Sequence, residues 1–252
     1  LLAATENPSN SAGYQPVGLV EGPAKRRLRI AVSIENGFGQ QPDKTVAEAI
    51  YRTIKLCESL GYEVVELPNP VAGEQLFSAS EGIMLAPMPS LIAQVESLVG
   101  GPAETSGLLT QATVDMARYS QRLPKDARQN GLVYFEQLTR EFGQFFAKYD
   151  LWLTPTIPIE QPKNGYLSHD TPFDLALIRN RQLLGYTMTA NGIGAPAMSV
   201  PLFQSSATGL PIGSHFMAAP GNDRMLYELA FELEAAQPWA QRWAPHSAMS
   251  LT

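Results

Sequence analysis

An α/β layered fold is predicted by three observations. Short apolar runs with two-residue alternation, such as residues 29–34 (RIAVSI), punctuate segments whose apolar residues recur at three- and four-residue steps. Residues 29–67 hold a strand, a helix and a second strand in succession, the signature of a parallel βαβ unit. Further along, short strands alternate with helical stretches to the end of the chain, and elements in that order pack as helices on a sheet.

Residues 1–27 carry Pro8, Pro16, Pro23, Gly13, Gly18 and Gly22 among Ser and Asn, without periodicity, and read as a loop or linker ahead of a domain spanning 28–252. In the first strand Ile30, Val32 and Ile34 alternate, and Asn36-Gly37-Phe38-Gly39 ends it. Asp43 is placed to cap a helix whose stripe is Val46, Ile50, Ile54, Cys57 and Leu60, with Gly61 at its C-terminal end. Residues 63–67 (EVVEL) form the second strand, closed by Pro68 and Pro70. Residues 73–149 show helices only, broken at Pro87-Met88-Pro89, Gly100-Gly101-Pro102 and Pro124. The last of these helices sets Val133, Leu138, Phe142, Phe145, Phe146 and Tyr149 on one broad face. Residues 151–154 (LWLT) are a buried strand. Thr171-Pro172 starts a helix that is expected to run to about Thr189. Residues 197–203 and 212–218 read as a hairpin around Thr208-Gly209-Leu210-Pro211. Asn222 or Asp223 caps a final helix with Met225, Leu226, Leu229, Ala230 and Leu233 inward, ended by Pro238-Trp239.

Composition narrows the function. The 252 residues are 44% hydrophobic and 17% charged, which excludes wholesale disorder. A net charge of −6 argues against a nucleic-acid partner, because the one tight basic cluster is Lys25-Arg26-Arg27 with Arg29. The lone cysteine, Cys57, excludes an internal disulfide. His169, His215 and His246 form no paired ligand spacing, so neither a metal nor another cofactor is expected. No unbroken run of about 18 apolar residues occurs, so no membrane span is expected. The chain opens Leu1-Leu2-Ala3-Ala4, too short and uncharged for a signal peptide, and the cytoplasm is the expected compartment.

Isolated reactive residues read as structural. Cys57 lies on the inward stripe of its helix, where a small buried side chain is the ordinary role. Ser205-Ser206 lies in the hairpin loop without a His or Lys beside it to activate a nucleophile. His215 sits on a strand among Ile212, Phe216 and Met217 and reads as a core or edge histidine rather than a base. His169-Asp170 lies in a polar loop. Asn36-Gly37-Phe38-Gly39 lacks the third glycine and the lysine of a phosphate loop.

Three segments carry more information: Tyr149-Asp150-Leu151-Trp152-Leu153-Thr154-Pro155-Thr156-Ile157-Pro158; Asn191-Gly192-Ile193-Gly194-Ala195-Pro196-Ala197-Met198-Ser199-Val200-Pro201; and Gly209-Leu210-Pro211-Ile212-Gly213, followed by Gly221-Asn222-Asp223 and the last helix. From the residues alone, the two glycines before Pro196 make a tight turn into a strand, where a backbone can approach a neighbour closely.

In this order and spacing the three segments resemble the C-terminal half of amidase signature enzymes. The resemblance covers about residues 25–245 and rests on Asp150, Thr154, Pro155, Thr156, Pro158, Asn191, Gly194, Pro196, Ala197, Ser199, Val200, Pro201, Gly209, Leu210, Pro211 and Gly213. It implies that the α/β fold is part of a mixed-sheet αβα layered architecture. It implies amide hydrolysis through an acyl-serine, by a Ser–Ser–Lys triad lying in the family's N-terminal half. No Gly-Gly-Ser-Ser string occurs here, and none of Lys25, Lys44, Lys55, Lys125, Lys148 and Lys163 has a matching context. No catalytic residue is therefore assigned to this chain, and the expected partner is an N-terminal half, in the same gene product or as a second chain. A homodimer is also compatible with this reading. The resemblance further implies that Tyr186, Thr187, Met188 and Asn191, with Met84, Leu85 and Met88, face the acyl pocket; Tyr186, Asn191, Met84 and Met88 are the substrate-binding candidates. The segment around Tyr186 is neutral, which favours a small-molecule, rather apolar amide over glutamine. The alternative reading is a non-catalytic amidase-like binding subunit or scaffold.

Overall fold

The computed structural model describes residues 2–6, 13–168, 170–244 and 247–248. The elements are α1 (Leu2–Thr5), β1 (Arg29–Val32), α2 (Lys44–Ser59), β2 (Glu63–Glu66), α3 (Gly73–Leu85), α4 (Met88–Val99), α5 (Gln111–Ser120), α6 (Ala127–Phe146), β3 (Leu151–Pro155), α7 (Phe173–Leu183), α8 (Met188–Ile193), β4 (Ala197–Gln204), β5 (Pro211–Ala218) and α9 (Asp223–Ala236). The sheet order is β2-β1-β3-β5-β4. β1 is parallel to β2 and β3, whereas β5 is antiparallel to β3 and to β4, so the sheet is mixed and helices cover both faces. The βαβ unit and the hairpin are present as the periodicity predicts.

Alternation along the strands divides the apolar residues between two cores. Ile30, Val32, Leu151, Leu153, Val200 and Phe216 face one way, against α2 (Val46, Ile50, Ile54, Cys57) and α9 (Leu226, Leu229, Leu233). Ala31, Trp152 and Met217 face the other way, against α3 (Leu76), α6 (Leu138, Phe142) and α8 (Ala190, Ile193). α3 and α6 lie unusually close because two glycines remove side chains at the contact. A Cβ on Gly82 would lie 2.4 Å from the Ala127 carbonyl oxygen, and one on Gly131 would lie 2.6 Å from that of Ala79.

Three local expectations need correction. The helix expected over residues 171–189 is two helices, α7 and α8, split at Gly185, where a Cβ would come 3.0 Å from Asn36 Nδ2. Asp43 occupies the N-cap of α2 without a side-chain capping bond. Val133 is exposed rather than part of the inward face of α6. Residues 73–99 (α3 and α4 together) are long and apolar enough by length and composition to cross a membrane, although no unbroken apolar run is present. The α3 part is a core helix, with Leu76, Phe77 and Leu85 buried, whereas α4 turns Leu91, Leu98 and Val99 to solvent. The lead-in is not structureless throughout. The Glu6 carboxylate accepts from the Val17 and Gly18 amides, and Arg224 of α9 donates to the Val17 carbonyl at 2.9 Å.

Candidate active-site cleft

The sheet face that carries Trp152 changes character along the strands. On β3 the same-face positions run Trp152, Thr154 and then Thr156, because alternate residues share a face. On β5 they run Met217, His215 and Gly213, and on β4 Ala197 and Ser199. An apolar core thus gives way to hydroxyls and an imidazole toward the C-terminal end of β3, the end of a strand at which α/β sheets place ligands.

The buried part of this stripe is internally bonded. The Trp152 indole N–H donates to Ser33 Oγ at 3.0 Å. Thr154 Oγ1 donates to the Pro155 carbonyl at 2.9 Å and lies 3.1 Å from His215 Nδ1. A hydroxyl has one proton, so with that proton on the Pro155 carbonyl, Nδ1 is the donor of the second bond. Burial pushes His215 down to about 4, so the ring is neutral near pH 7. It fills the role of a satisfied core histidine, as expected from its apolar neighbours.

The open part forms a cleft of about 320 Å³. Thr156 comes from the first sequence segment, Ser199 and Pro201 from the second, and Pro211, Ile212 and Gly213 from the third. Thr156 Oγ1 and Ser199 Oγ are 2.7 Å apart. Gly213 lies between them: a Cβ there would come 2.4 Å from Thr156 Oγ1 and 2.5 Å from Ser199 Oγ, so only glycine leaves room for the pair. Among the described residues, no charged side chain lines the cleft. Its walls can hold a neutral polar group between two hydroxyls, each able to donate or accept, against apolar flanks.

The residues singled out from sequence are placed elsewhere. Tyr186 is buried and donates its hydroxyl to the Ile34 carbonyl at 2.8 Å, at the end of β1. Asn191 is exposed on α8, ahead of Gly194, which has φ +65° and caps the helix in the left-handed region. Met84 is 69% exposed on α3, and Met88 is half-buried at the start of α4. None of the four lines the cleft. The cleft residues Thr156, Ser199 and Gly213 belong to the segments that carry the family pattern. The available signal for a site was Gly213 itself, a glycine inside a strand, but its partners lie far away in sequence.

The other reactive residues are occupied structurally. Burial pushes the Cys57 thiol up to about 12, so it is not a nucleophile. Ser205 Oγ donates to Glu160 at 2.5 Å and accepts from the Ala207 and Thr208 amides, which makes it the keystone of the hairpin loop. Thr208 adds a second hydroxyl to Glu160, and the two bonds hold that carboxyl below its usual range. His169 and His246 lie outside the described residues. Among the described residues no group of three or more His, Cys, Asp or Glu side chains could hold a metal.

The Amidase family model matches residues 6–227. The candidate amidase AmiC of Mycobacterium leprae is 34% identical over 235 residues, covering 90% of this chain and 47% of that protein. The 6-aminohexanoate-cyclic-dimer hydrolase of Paenarthrobacter ureafaciens is 35% identical over 102 residues, which is 38% of this chain and 20% of that protein. Among solved structures, 6-aminohexanoate cyclic dimer hydrolase complexed with substrate superposes with a TM-score of 0.78 at 22% identity, covering 94% of this chain and 52% of that one. A bacterial aryl acylamidase of the amidase signature family superposes at 0.65 with 18% identity, covering 85% of this chain and 45% of that one. The chain spans about half the length of the curated relatives that match most of it. With its αβα mixed sheet and its three ordered motifs, the chain belongs to the amidase signature family.

Proposed function

We propose that this chain is the C-terminal half of an amide hydrolase and supplies one wall of the pocket in which the substrate amide is held. The observation that carries the reading is the meeting of three separated family segments in one open, uncharged cleft. Thr156 and Ser199 offer the amide a hydroxyl pair, and Ile157, Ile159 and Pro211 exclude water around it. The uncharged lining among the described residues favours a neutral, rather apolar amide.

In this reading the covalent chemistry belongs to the other half. A neutral lysine takes the nucleophilic serine's proton through a bridging serine as the nucleophile attacks the amide carbonyl. The tetrahedral intermediate then collapses and the C–N bond breaks; the amine leaves with the proton returned from the lysine, which leaves the acyl group on the nucleophilic serine. Backbone N–H groups hold the oxyanion, and water then releases the acyl group from the serine. His215 takes no part as a base, since it is buried, its Nδ1 is bonded to Thr154, and burial lowers its basicity.

The test is made on the complete protein, with hydrolysis of a chromogenic anilide and labelling by a fluorophosphonate. The expected result is turnover and a single labelled serine outside residues 1–252. Labelling at Ser199, Ser205 or Ser206, or no turnover of any neutral anilide, would overturn the assignment.

A further inference from the structure

One helix surface belongs to neither core. α3 leads into α4 through Ala86 and Pro87, which both keep right-handed helical backbone, so residues 73–99 form a nearly continuous helix. No residue of α4 is buried, although Glu96 is the one charged residue in it. Met84, Met88, Leu91, Val95 and Leu98 recur along this helix at alternating four- and three-residue steps. That spacing sets all five on one stripe. Met84, Leu91 and Leu98 are exposed, Leu98 to 85%, and Met88 and Val95 are half-buried.

The chain's own packing takes the other sides of the same helix. Gly82 rests on the Ala127 carbonyl of α6, and Pro89, Ile92 and Ala93 share a cavity with Val114 and Ala117 of α5. Counted at about 3.6 residues per turn, those contacts lie beside or behind the stripe, which therefore faces away from the molecule. The nearby acids are engaged by the chain itself. Glu81 accepts from the Tyr119 hydroxyl at 3.1 Å, and Glu96 accepts from the Ala103 amide at 3.3 Å. No Lys or Arg occurs in residues 73–99, so the stripe lacks the basic fringe of a helix that rests on anionic lipid.

We infer that the stripe over residues 84–98 is a self-association surface, at which two copies of the protein pair helix against helix about a two-fold axis. A four-three apolar repeat is the spacing at which two helices interlock their side chains, and Val95 followed by Leu98 is a pairing that suits two strands. A two-fold contact brings each copy's stripe against its own likeness, so a charge there would meet the same charge. Ile92, Gln94 and Val99 flank the stripe and are uncharged, which leaves it complementary to itself. The stripe is about 21 Å long, at the small end of specific interfaces, so the dimer forms in the micromolar range rather than as an obligate pair. The inference needs no substrate and stands apart from the hydrolytic reading.

Sedimentation of the complete protein from nanomolar to high micromolar concentration tests this, with a charge swap on the two exposed leucines. The parent should pass from monomer to dimer across that range. Leu91→Lys with Leu98→Lys, and separately Leu91→Glu with Leu98→Glu, should each weaken the dimer by about 10²-fold or more through like-charge repulsion. Mixing the two variants should restore a dimer that contains one copy of each, because opposite charges then face each other. Both leucines are exposed, so thermal melting should show the fold intact in each variant. A parent that stays monomeric throughout would overturn the inference, since the stripe would then be covered by the rest of the protein or by another partner. So would a dimer that either variant retains, or variants that are monomeric alone and fail to associate when mixed.

Discussion

Two hydroxyl pairs on opposite faces of the sheet show how this chain separates structure from function. Thr53 Oγ1 of α2 and Ser214 Oγ of β5 are 2.8 Å apart and fully buried, and Thr53 also donates to the Ala49 carbonyl. Thr156 and Ser199 are 2.7 Å apart on the other face and lie open in the cleft. The chemistry is the same and the surroundings differ. The first pair is enclosed by α2, which spans its stretch of sheet. The second lies where the polar stripe runs beyond the apolar core of Trp152 and Met217. A buried pair satisfies itself, whereas an exposed pair is free to serve a ligand.

Variants of the complete protein can break this comparison. The largest effect is expected at Gly213. Gly213→Val drives a side chain between Thr156 and Ser199, and a displacement of that kind should lower turnover by about 10²-fold. Thermal melting run beside the kinetics separates this from unfolding. Turnover within twofold of the parent, with the fold intact, would remove the cleft from the pocket.

The next largest effect is a pH dependence. His215 has a folded value near 4 against an ordinary value of 6.5. Between those values the unfolded chain binds a proton that the folded chain does not, so stability rises with pH through this window. The contribution is fully present above pH 6.5 and is lost as pH falls toward 4, on the order of 3 kcal/mol. Urea midpoints measured across pH 4–7 should show this slope, and His215→Asn should flatten it.

Smaller effects sharpen the contrast between the pairs. Thr53→Val strands the buried Ser214 hydroxyl and should cost about 1–3 kcal/mol of stability with little change in turnover. The double variant Thr53→Val with Ser214→Ala should recover part of that loss. Thr156→Val should do the converse, leaving stability within about 0.5 kcal/mol while lowering kcat/KM. Cys57→Ala trims a buried side chain of the α2 face and should cost about 1–2 kcal/mol without a rate effect. A Cys57→Ala enzyme that melts normally but is inactive would place the pocket on the wrong face.

The fold was readable from sequence where periodicity and punctuation agree. β1 and β2 show alternation closed by Asn-Gly and by proline, and α2 shows a stripe that ends at Gly61, which adopts φ +85°. The break between α7 and α8 is not legible in the sequence, because a lone glycine inside a helical pattern has several meanings. Gly185 is there to admit Asn36, a residue almost 150 positions away in sequence. The site was legible as segments but not as a place. Thr156 meets Ser199 only after β3, β5 and β4 pair, because the two are 43 positions apart along the chain. The family resemblance implies a pocket role for Tyr186, and in the fold its buried hydroxyl donates to the Ile34 carbonyl at the end of β1. Tyr186→Phe should cost about 1 kcal/mol of stability through loss of that bond, checked by urea unfolding.

The central claim is that the Thr156–Ser199–Gly213 cleft is where the amide is held. A crystal structure of the complete protein, trapped with a slow neutral anilide, tests it most directly. The account predicts the amide group within hydrogen-bonding distance of the Thr156 or Ser199 hydroxyl, with its apolar part against Ile157 and Pro211. An amide bound on the α2–α9 side of the sheet, or on the exposed face of α8 at Asn191, would contradict it.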